Sequence, residues 1–459
     1  MEKTKGLRGL DVFLGMICVL FFLDTCAPMA AMGVTAISWA LIITVIFYIP
    51  SGFIMSELGS TFPDDGGVYS WVKRAFGSHW GARVSWMYWL NDAVWIASVS
   101  SVFVGLLSAL FFPNIAFGVQ IVIMLVVVWV MVALCFLPVD NAKWITNVAA
   151  VVKLMIAAGL IGSAIYYLFA TGKPANDFSW AALKPEWGQS ITYLPALIYN
   201  FLGMEAMLTL ATHMKNPQKD IPKAVIGNSF LVAGLYIMVT AALLILIPTG
   251  KLSIVSGVID GFMVAFGSSA IGRGVIVVLG CLFLATILIQ TASWLLAACR
   301  MAAAAGDNHE LPKIFAKRAK NHDGPIGAIL LIGIIGTVLI LIYGAMASTA
   351  EDLFWTLFSF VSIIYLMPFV INFQGFIKLR KMEKDIVRPF RFPGPSWLGC
   401  GFAHFGQFIL LATIFLFFWV PGTTPDWFGW IIPLGVGVVV TLGVGEYLTY
   451  SSIKKQDSK

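Results

Sequence analysis

The chain has 459 residues, 59% of them hydrophobic and only 11% charged, with a mean hydropathy of +0.89. No soluble core needs that much apolar surface, so the composition specifies a polytopic membrane protein. The formal charge of +6 sits in short loops between apolar runs and does not imply a nucleic-acid partner.

Apolar runs near the ~20 residues that cross a bilayer recur about twelve times along the chain. They fall at roughly 9–33, 35–57, 81–112, 118–138, 144–170, 190–213, 223–249, 273–305, 326–347, 352–378, 398–420 and 427–450, numbered here as segments 1 to 12. The first run is too long for a cleavable signal peptide and continues into the fold. With the N-terminus inside, 24 of the 29 Lys and Arg fall on the cytoplasmic side, 4 outside and one, Lys153, within a span. That asymmetry predicts both termini in the cytoplasm and an even number of spans. The expected location is the plasma membrane, as a multi-pass protein.

Segment 1 carries Asp24 and Pro28 near its middle. A mid-membrane Asp costs roughly 2.5–3.5 kcal/mol on insertion scales, so it faces a cavity or a partner. Proline removes a backbone donor. Together they predict unwinding near Asp24 to Pro28. The plainer reading is a kinked helix with a structural Asp. In segment 3, Tyr88, Asp92 and Trp95 share one helix face, a carboxylate with aromatic neighbours that suits an ammonium group. The alternative for Asp92 is an internal salt bridge to Lys153 of segment 5. Segment 6 places Phe201, Gly203 and Glu205 at mid-membrane, predicting a second break near Phe201 to Met204. Broken segments five spans apart point to an inverted-repeat transporter with its site at the midplane.

Between the spans, Ser60 to Phe76 is compact and turn-rich. Met301 to Gly324 is polar, with helix expected around Leu311 to Lys320. Thr171 to Gln189, with Trp180 and Trp187, suits an interfacial lid. The six cysteines lie in or beside apolar runs without metal-ligand spacing, and no disulfide is expected. The five histidines (His79, His213, His309, His322 and His404) also lack ligand spacing. No metal site, cofactor or nucleophile–base set is legible, which disfavours an enzyme.

Several motifs carry a family resemblance: Ser56-Glu57-Leu58-Gly59-Ser60-Thr61-Phe62-Pro63, Gly66-Gly67-Val68-Tyr69, Phe201-Leu202-Gly203-Met204-Glu205, Lys215-Asn216-Pro217, Leu311-Pro312-Lys313 and Arg388-Pro389-Phe390-Arg391-Phe392-Pro393-Gly394. In this order and spacing the chain resembles permeases of the amino acid–polyamine–organocation superfamily, with a LeuT-like core. The resemblance implies an all-α integral membrane protein of about twelve helices. Residues 1–170 and 190–378 are then two five-helix inverted repeats, joined by an outside loop at 171–189, with 379–459 holding two peripheral helices and the tail. It also implies a substrate held by the unwound parts of segments 1 and 6 and gated by aromatics of segments 3, 6 and 10. Amino acid carriers of this type hold the substrate carboxylate in a small-residue cradle in segment 1. Here that neighbourhood reads Phe22-Leu23-Asp24-Thr25, bulky and acidic, and is similar to the monoamine branch in which an Asp stands in for a missing substrate carboxylate. A segment 5 lysine looks like the replacement of a coupling Na⁺ between segments 1 and 8, so Lys153 suggests proton coupling or exchange. Its plainer role is a static bridge; Thr291 and Ser293 are possible hydroxyl neighbours.

The expected substrate-binding residues are therefore Asp24, Thr25, Tyr88, Asp92, Trp95, Phe201, Gly203 and Glu205, with Lys153 in coupling. Glu205 has a competing role as a tether of the unwound segment. The leading function is a secondary transporter or exchanger of amines or cationic amino-acid derivatives, in contact with membrane lipid and with the proton as a possible coupling ion. The alternatives are a general amino acid permease for zwitterions and a non-transporting membrane sensor.

Overall fold

A computed structural model describes residues 6–457 apart from 65, 137–138, 188, 268, 319–323 and 422. For 139–142, 189–190 and 455–457 only the backbone is described. Lys3, Lys5, Asp65, Lys320, His322 and Lys459, used in the loop and charge reading, lie outside the described residues.

Eleven helices are long and apolar enough to cross a membrane. They run Gly9–Ala30, Thr35–Thr61, Ser78–Phe111, Phe117–Leu134, Lys143–Thr171, Pro217–Leu246, Ala270–Asp307, Ile326–Gly344, Ala350–Met382, Ser396–Phe418 and Trp427–Lys454. They coincide with eleven of the twelve segments read from hydropathy. The twelfth is segment 6, which is split into a helix at Leu194–Asn200 and tight 3₁₀ turns at Ala206–His213. Neither half reaches spanning length alone. Burial within the protein separates core from periphery: 78% of the apolar window of segment 1 is buried, but only 17% of that of segment 12. Segments 1, 3, 6, 8 and 10 meet at the centre. Segments 4, 9, 11 and 12 present much of their surface to lipid, where apolar exposure carries no penalty.

The loops differ from expectation in two places. A helix at Gly257–Phe266, not anticipated, follows segment 7 in the chain and packs chiefly on segment 5, with further contacts to segments 8 and 7. Segment 8 continues to Asp307, whereas Leu311–Arg318 forms turns rather than the expected helix. His309, at φ 58°, stops the helix, and Pro312 has no amide to continue one. In the Ser60 to Phe76 loop a helix forms at Val68–Phe76. Its Tyr69 hydroxyl donates to Glu310 at 2.7 Å and Lys73 pairs with Glu310 at 2.7 Å, tying this loop to the end of segment 8. Burial, and then the Glu310 carboxylate, hold the Tyr69 phenol above its usual range. In the Thr171 to Gln189 loop, Asn176 donates to the Leu244 and Ile247 carbonyls and Trp180 is 90% exposed.

Candidate functional site

The first break lies at Phe21–Phe22, where both residues are extended (ψ 91° and 85°). This corrects the expectation of unwinding over Asp24 to Pro28. Asp24 sits in a 3₁₀ turn, Leu23–Thr25, and Pro28 lies in the first turn of the short helix Cys26–Ala30. A proline there loses nothing, because first-turn amides have no intrahelical acceptor.

Backbone freed at a break inside a membrane must be satisfied by protein. Side chains from three other segments do this. Lys153 of segment 5 donates to the Cys18 and Phe21 carbonyls at 2.7 and 2.6 Å, and to Gln290 of segment 8. Tyr236 of segment 7 donates to the Leu20 carbonyl and accepts from the Phe22 amide, both at 2.8 Å. Trp294 of segment 8 donates to the Val19 carbonyl at 2.9 Å. Lys153 therefore joins segments 1, 5 and 8. It reaches Gln290 rather than Thr291 or Ser293, and among the described residues no carboxylate is within ion-pair distance of it, so the Asp92–Lys153 salt bridge is not formed. Gln290 faces both ways, its amide lying 3.5 Å from Asp24 Oδ1.

The second break spans Phe201 to Glu205. Gly203 has φ +111°, a conformation open to glycine, and an added Cβ would sit 2.7 Å from the Trp294 ring. The C-terminal half of segment 1 is fastened to segment 6 where this break begins. Thr25 Oγ1 donates to Asn200 Oδ1 at 2.7 Å, and Asn200 Nδ2 donates back to the Thr25 carbonyl at 3.3 Å. Glu205 accepts from the Tyr88 hydroxyl at 2.5 Å and the Tyr365 hydroxyl at 3.0 Å, so segments 3, 6 and 10 meet on one carboxylate oxygen.

Around these groups the aromatic rings close a cage. Phe22 packs against Trp95, Tyr199 and Trp294 at centroid distances of 5.9, 6.4 and 5.8 Å. Tyr199 meets Phe358 at 5.0 Å and Tyr365 at 5.3 Å, and Tyr88 meets Tyr365 at 5.7 Å. Tyr199 thus meets rings of segments 1, 3 and 10. Phe201, expected with Trp95, is turned away. It stacks on Tyr48 at 4.6 Å and meets Tyr236 at 5.8 Å, on the side of segments 2 and 7.

The three carboxylates are almost wholly buried, and each keeps one oxygen without a partner: Asp24 Oδ2, Asp92 Oδ1 and Glu205 Oε2. The other fully buried acids are satisfied by bases. Glu57 pairs with Arg380 at 2.5 Å and Arg388 at 3.1 Å, and Glu310 with Lys73. Lys153 is the only fully buried base among the described residues. A cleft lined by Asp11, Val19, Asn147, Met207, Ser293 and Arg300 runs between segments 1, 5, 6 and 8. It passes beside Val19, whose carbonyl takes the Trp294 bond. Sequence reasoning missed Tyr199, Asn200, Gln290, Trp294 and Tyr365. Tyr199 and Asn200 adjoin a break, which is a usable signal; the others lie on uninterrupted helices among many similar residues.

The chain is similar to the probable agmatine/putrescine antiporter AguD of Lactococcus lactis, with 32% identity covering 100% of this chain and 98% of that protein. It is also similar to the uncharacterized transporter lpg1691 of Legionella pneumophila, 24% identical over 93% of this chain and 92% of that one. The probable polyamine transporter At1g31830 of Arabidopsis thaliana is 24% identical over 79% of this chain and 69% of its own. The amino acid permease family model matches residues 12–441. This multi-pass membrane protein, broken at segments 1 and 6 around a buried acidic and aromatic centre, belongs to the amino acid permease family of the amino acid–polyamine–organocation superfamily.

Proposed function

We propose that the protein is a secondary transporter that exchanges agmatine- or putrescine-like cations across the plasma membrane by alternating access. The observation that carries the reading is the charge balance of the cage. Asp24, Asp92 and Glu205 each hold an unpartnered buried oxygen, against the single buried ammonium of Lys153. An organic cation leaving water loses solvation, and needs anionic partners and ring faces to offset the loss. A substrate with two positive ends suits more than one carboxylate. The amide and carbonyl groups of the first break are already taken by Tyr236, Lys153 and Trp294, which disfavours binding a substrate carboxylate there. The printed name of the Lactococcus relative supports the same class of substrate. Residues 1–170 and 190–378 form the two repeats in this reading, and both termini are cytoplasmic. Lys153 stands where a coupling cation would otherwise join segments 1 and 8, so flux is driven by exchange or by protons, not Na⁺.

The test is thermal stabilisation of purified protein by agmatine and putrescine against arginine and ornithine, followed by counterflow in proteoliposomes. Stabilisation and exchange by the amines support the proposal. If only the zwitterions stabilise and exchange, the chain is a general amino acid permease and Asp24 is structural.

A further inference from the structure

A basic basin lies far from the cage, where segment 10 ends at Met382 and segment 11 begins at Ser396. It is lined by Arg380, Lys381, Lys384, Arg388, Arg391 and Trp397 and has an empty volume of about 1180 Å³. Arg380 and Arg388 form its floor and are committed elsewhere. Both pair with Glu57 of segment 2, and Arg380 also donates to the Ser396 carbonyl at 3.1 Å. Arg388 further donates to the Glu383 carbonyl at 3.0 Å and to Leu379 at 3.3 Å, which holds the loop in its concave shape. Lys381, Lys384 and Arg391 are exposed around the rim, and among the described residues none forms an ion pair. Of the two acids of this loop, Glu383 is spent on Arg74 at 2.6 Å, and Asp385, beside Lys384, is exposed and does not line the basin, so the rim keeps a net positive charge. Three uncompensated cations around one concavity make a site for an anion. Its position at two span ends selects the kind of anion: Trp397, 73% exposed in the first turn of segment 11, is an interfacial aromatic.

We infer that this basin binds the phosphate of an anionic phospholipid from the adjoining leaflet, with Lys381, Lys384 and Arg391 on the phosphate and Trp397 against the glycerol and upper acyl region. The charge asymmetry of the loops makes that leaflet the cytoplasmic one. The inference does not depend on the substrate. Because the basin floor is the Glu57 clamp, a bound phosphate draws on the same two guanidinium groups that tie segment 2 to segment 10. Lipid occupancy therefore bears on the strength of the contact between a segment beside the cage and the helix that carries Tyr365.

The test compares purified wild type with the triple variant Lys381→Gln, Lys384→Gln, Arg391→Gln. Lipid retention is measured by native mass spectrometry, and thermal stability is titrated with phosphatidylglycerol, phosphatidylcholine or glycerol phosphate. Wild type should retain and be stabilised by phosphatidylglycerol, not phosphatidylcholine, and the effect should weaken with added salt. About fivefold per rim cation compounds to roughly a hundredfold loss of phosphatidylglycerol affinity in the triple variant. The charge-keeping variant Lys381→Arg, Lys384→Arg, Arg391→Lys should behave as wild type, which separates lost charge from a damaged fold. Equal retention of phosphatidylglycerol by wild type and the glutamine variant overturns the inference. Glycerol phosphate stabilising as well as phosphatidylglycerol at equal concentration overturns the lipid assignment in favour of a soluble phosphate.

Discussion

Asp92 provides a test in which binding and stability move in opposite directions. Its carboxylate is completely buried and receives a single long hydrogen bond, from Asn91 Nδ2 at 3.4 Å. Its Oδ1 has no partner, and no described base lies within ion-pair range. A buried polar group left unsatisfied costs about 1–3 kcal/mol, more when charged. Asparagine keeps the shape and removes the charge. Asp92→Asn should therefore raise the unfolding midpoint of the substrate-free protein, because it removes an unpaired charge from a buried site. With a diamine bound the sign reverses, because the ammonium is left under-compensated. Breaking a buried charge pair costs about 2–5 kcal/mol, or roughly thirtyfold to several thousandfold in affinity. The assay is thermal unfolding in detergent with and without agmatine, joined to a binding titration. A variant with a lower substrate-free midpoint and an unchanged agmatine shift would refute the reasoning. Asp24→Asn is the internal comparison: Asp24 shares Gln290 with Lys153, so neutralising it also removes the nearest countercharge of the buried ammonium. It should lose agmatine binding without the gain in substrate-free stability.

Replacing Na⁺ by choline should leave transport in proteoliposomes unchanged, and Lys153→Ala should abolish net accumulation or its pH dependence; strict Na⁺ dependence would contradict the role given to Lys153. Gly203→Ala should cost at least ~1–2 kcal/mol, from a left-handed backbone and a methyl group 2.7 Å from Trp294, with lower yield of folded protein as the readout. Glu57→Gln strands two nearly buried guanidinium groups (side chains 10% and 7% exposed) and should lower stability by about 3–5 kcal/mol, measured as the unfolding midpoint in denaturant.

Span positions were legible because a bilayer imposes a length that hydropathy records directly. Segment 6 was legible for the opposite reason: glycine and glutamate at mid-membrane interrupt a run that is otherwise long enough. Segment 1 misled by its proline. Pro28 signals a helix start as readily as a break, and the true break at Phe21–Phe22 has no glycine or proline at all. It persists because Lys153, Tyr236 and Trp294 supply tertiary partners for its carbonyls and amide, and those lie more than a hundred residues away in sequence. The same distance hid Gln290, one amide among the polar residues of segment 8. Asp24, Tyr88, Asp92, Trp95 and Glu205 stand out in the sequence by their own chemistry, a charge or an aromatic at mid-span, and the structure buries all five. Phe201 was misplaced because one residue at a break can point either way, and Tyr48, on a π-helical turn of segment 2, provides it with a stacking partner.

The groups that satisfy the first break also join its two sides. Its C-terminal side is fastened to segment 6 through Thr25 and Asn200, while its N-terminal side, Gly9–Leu20, lines the cleft through Asp11 and Val19. Phe21–Phe22 is then the joint between two halves that are each fastened to neighbouring segments, the first through Lys153 and Trp294 and the second through Asn200, and Tyr236 bridges that joint by bonding Leu20 on one side and Phe22 on the other. Tyr236→Phe keeps the ring packing against Phe21 and Phe201 and removes only the bridge. It leaves one buried carbonyl and one buried amide unsatisfied, about 1–3 kcal/mol each. If the joint is held this way, amide hydrogen exchange across residues 18–25 should accelerate by roughly tenfold per 1.4 kcal/mol, while exchange in segment 3 stays unchanged. Acceleration spread over the whole chain would mean that the hydroxyl supports global stability. No acceleration at all would mean that Lys153 and Trp294 suffice to hold the break, and that Tyr236 is packing alone.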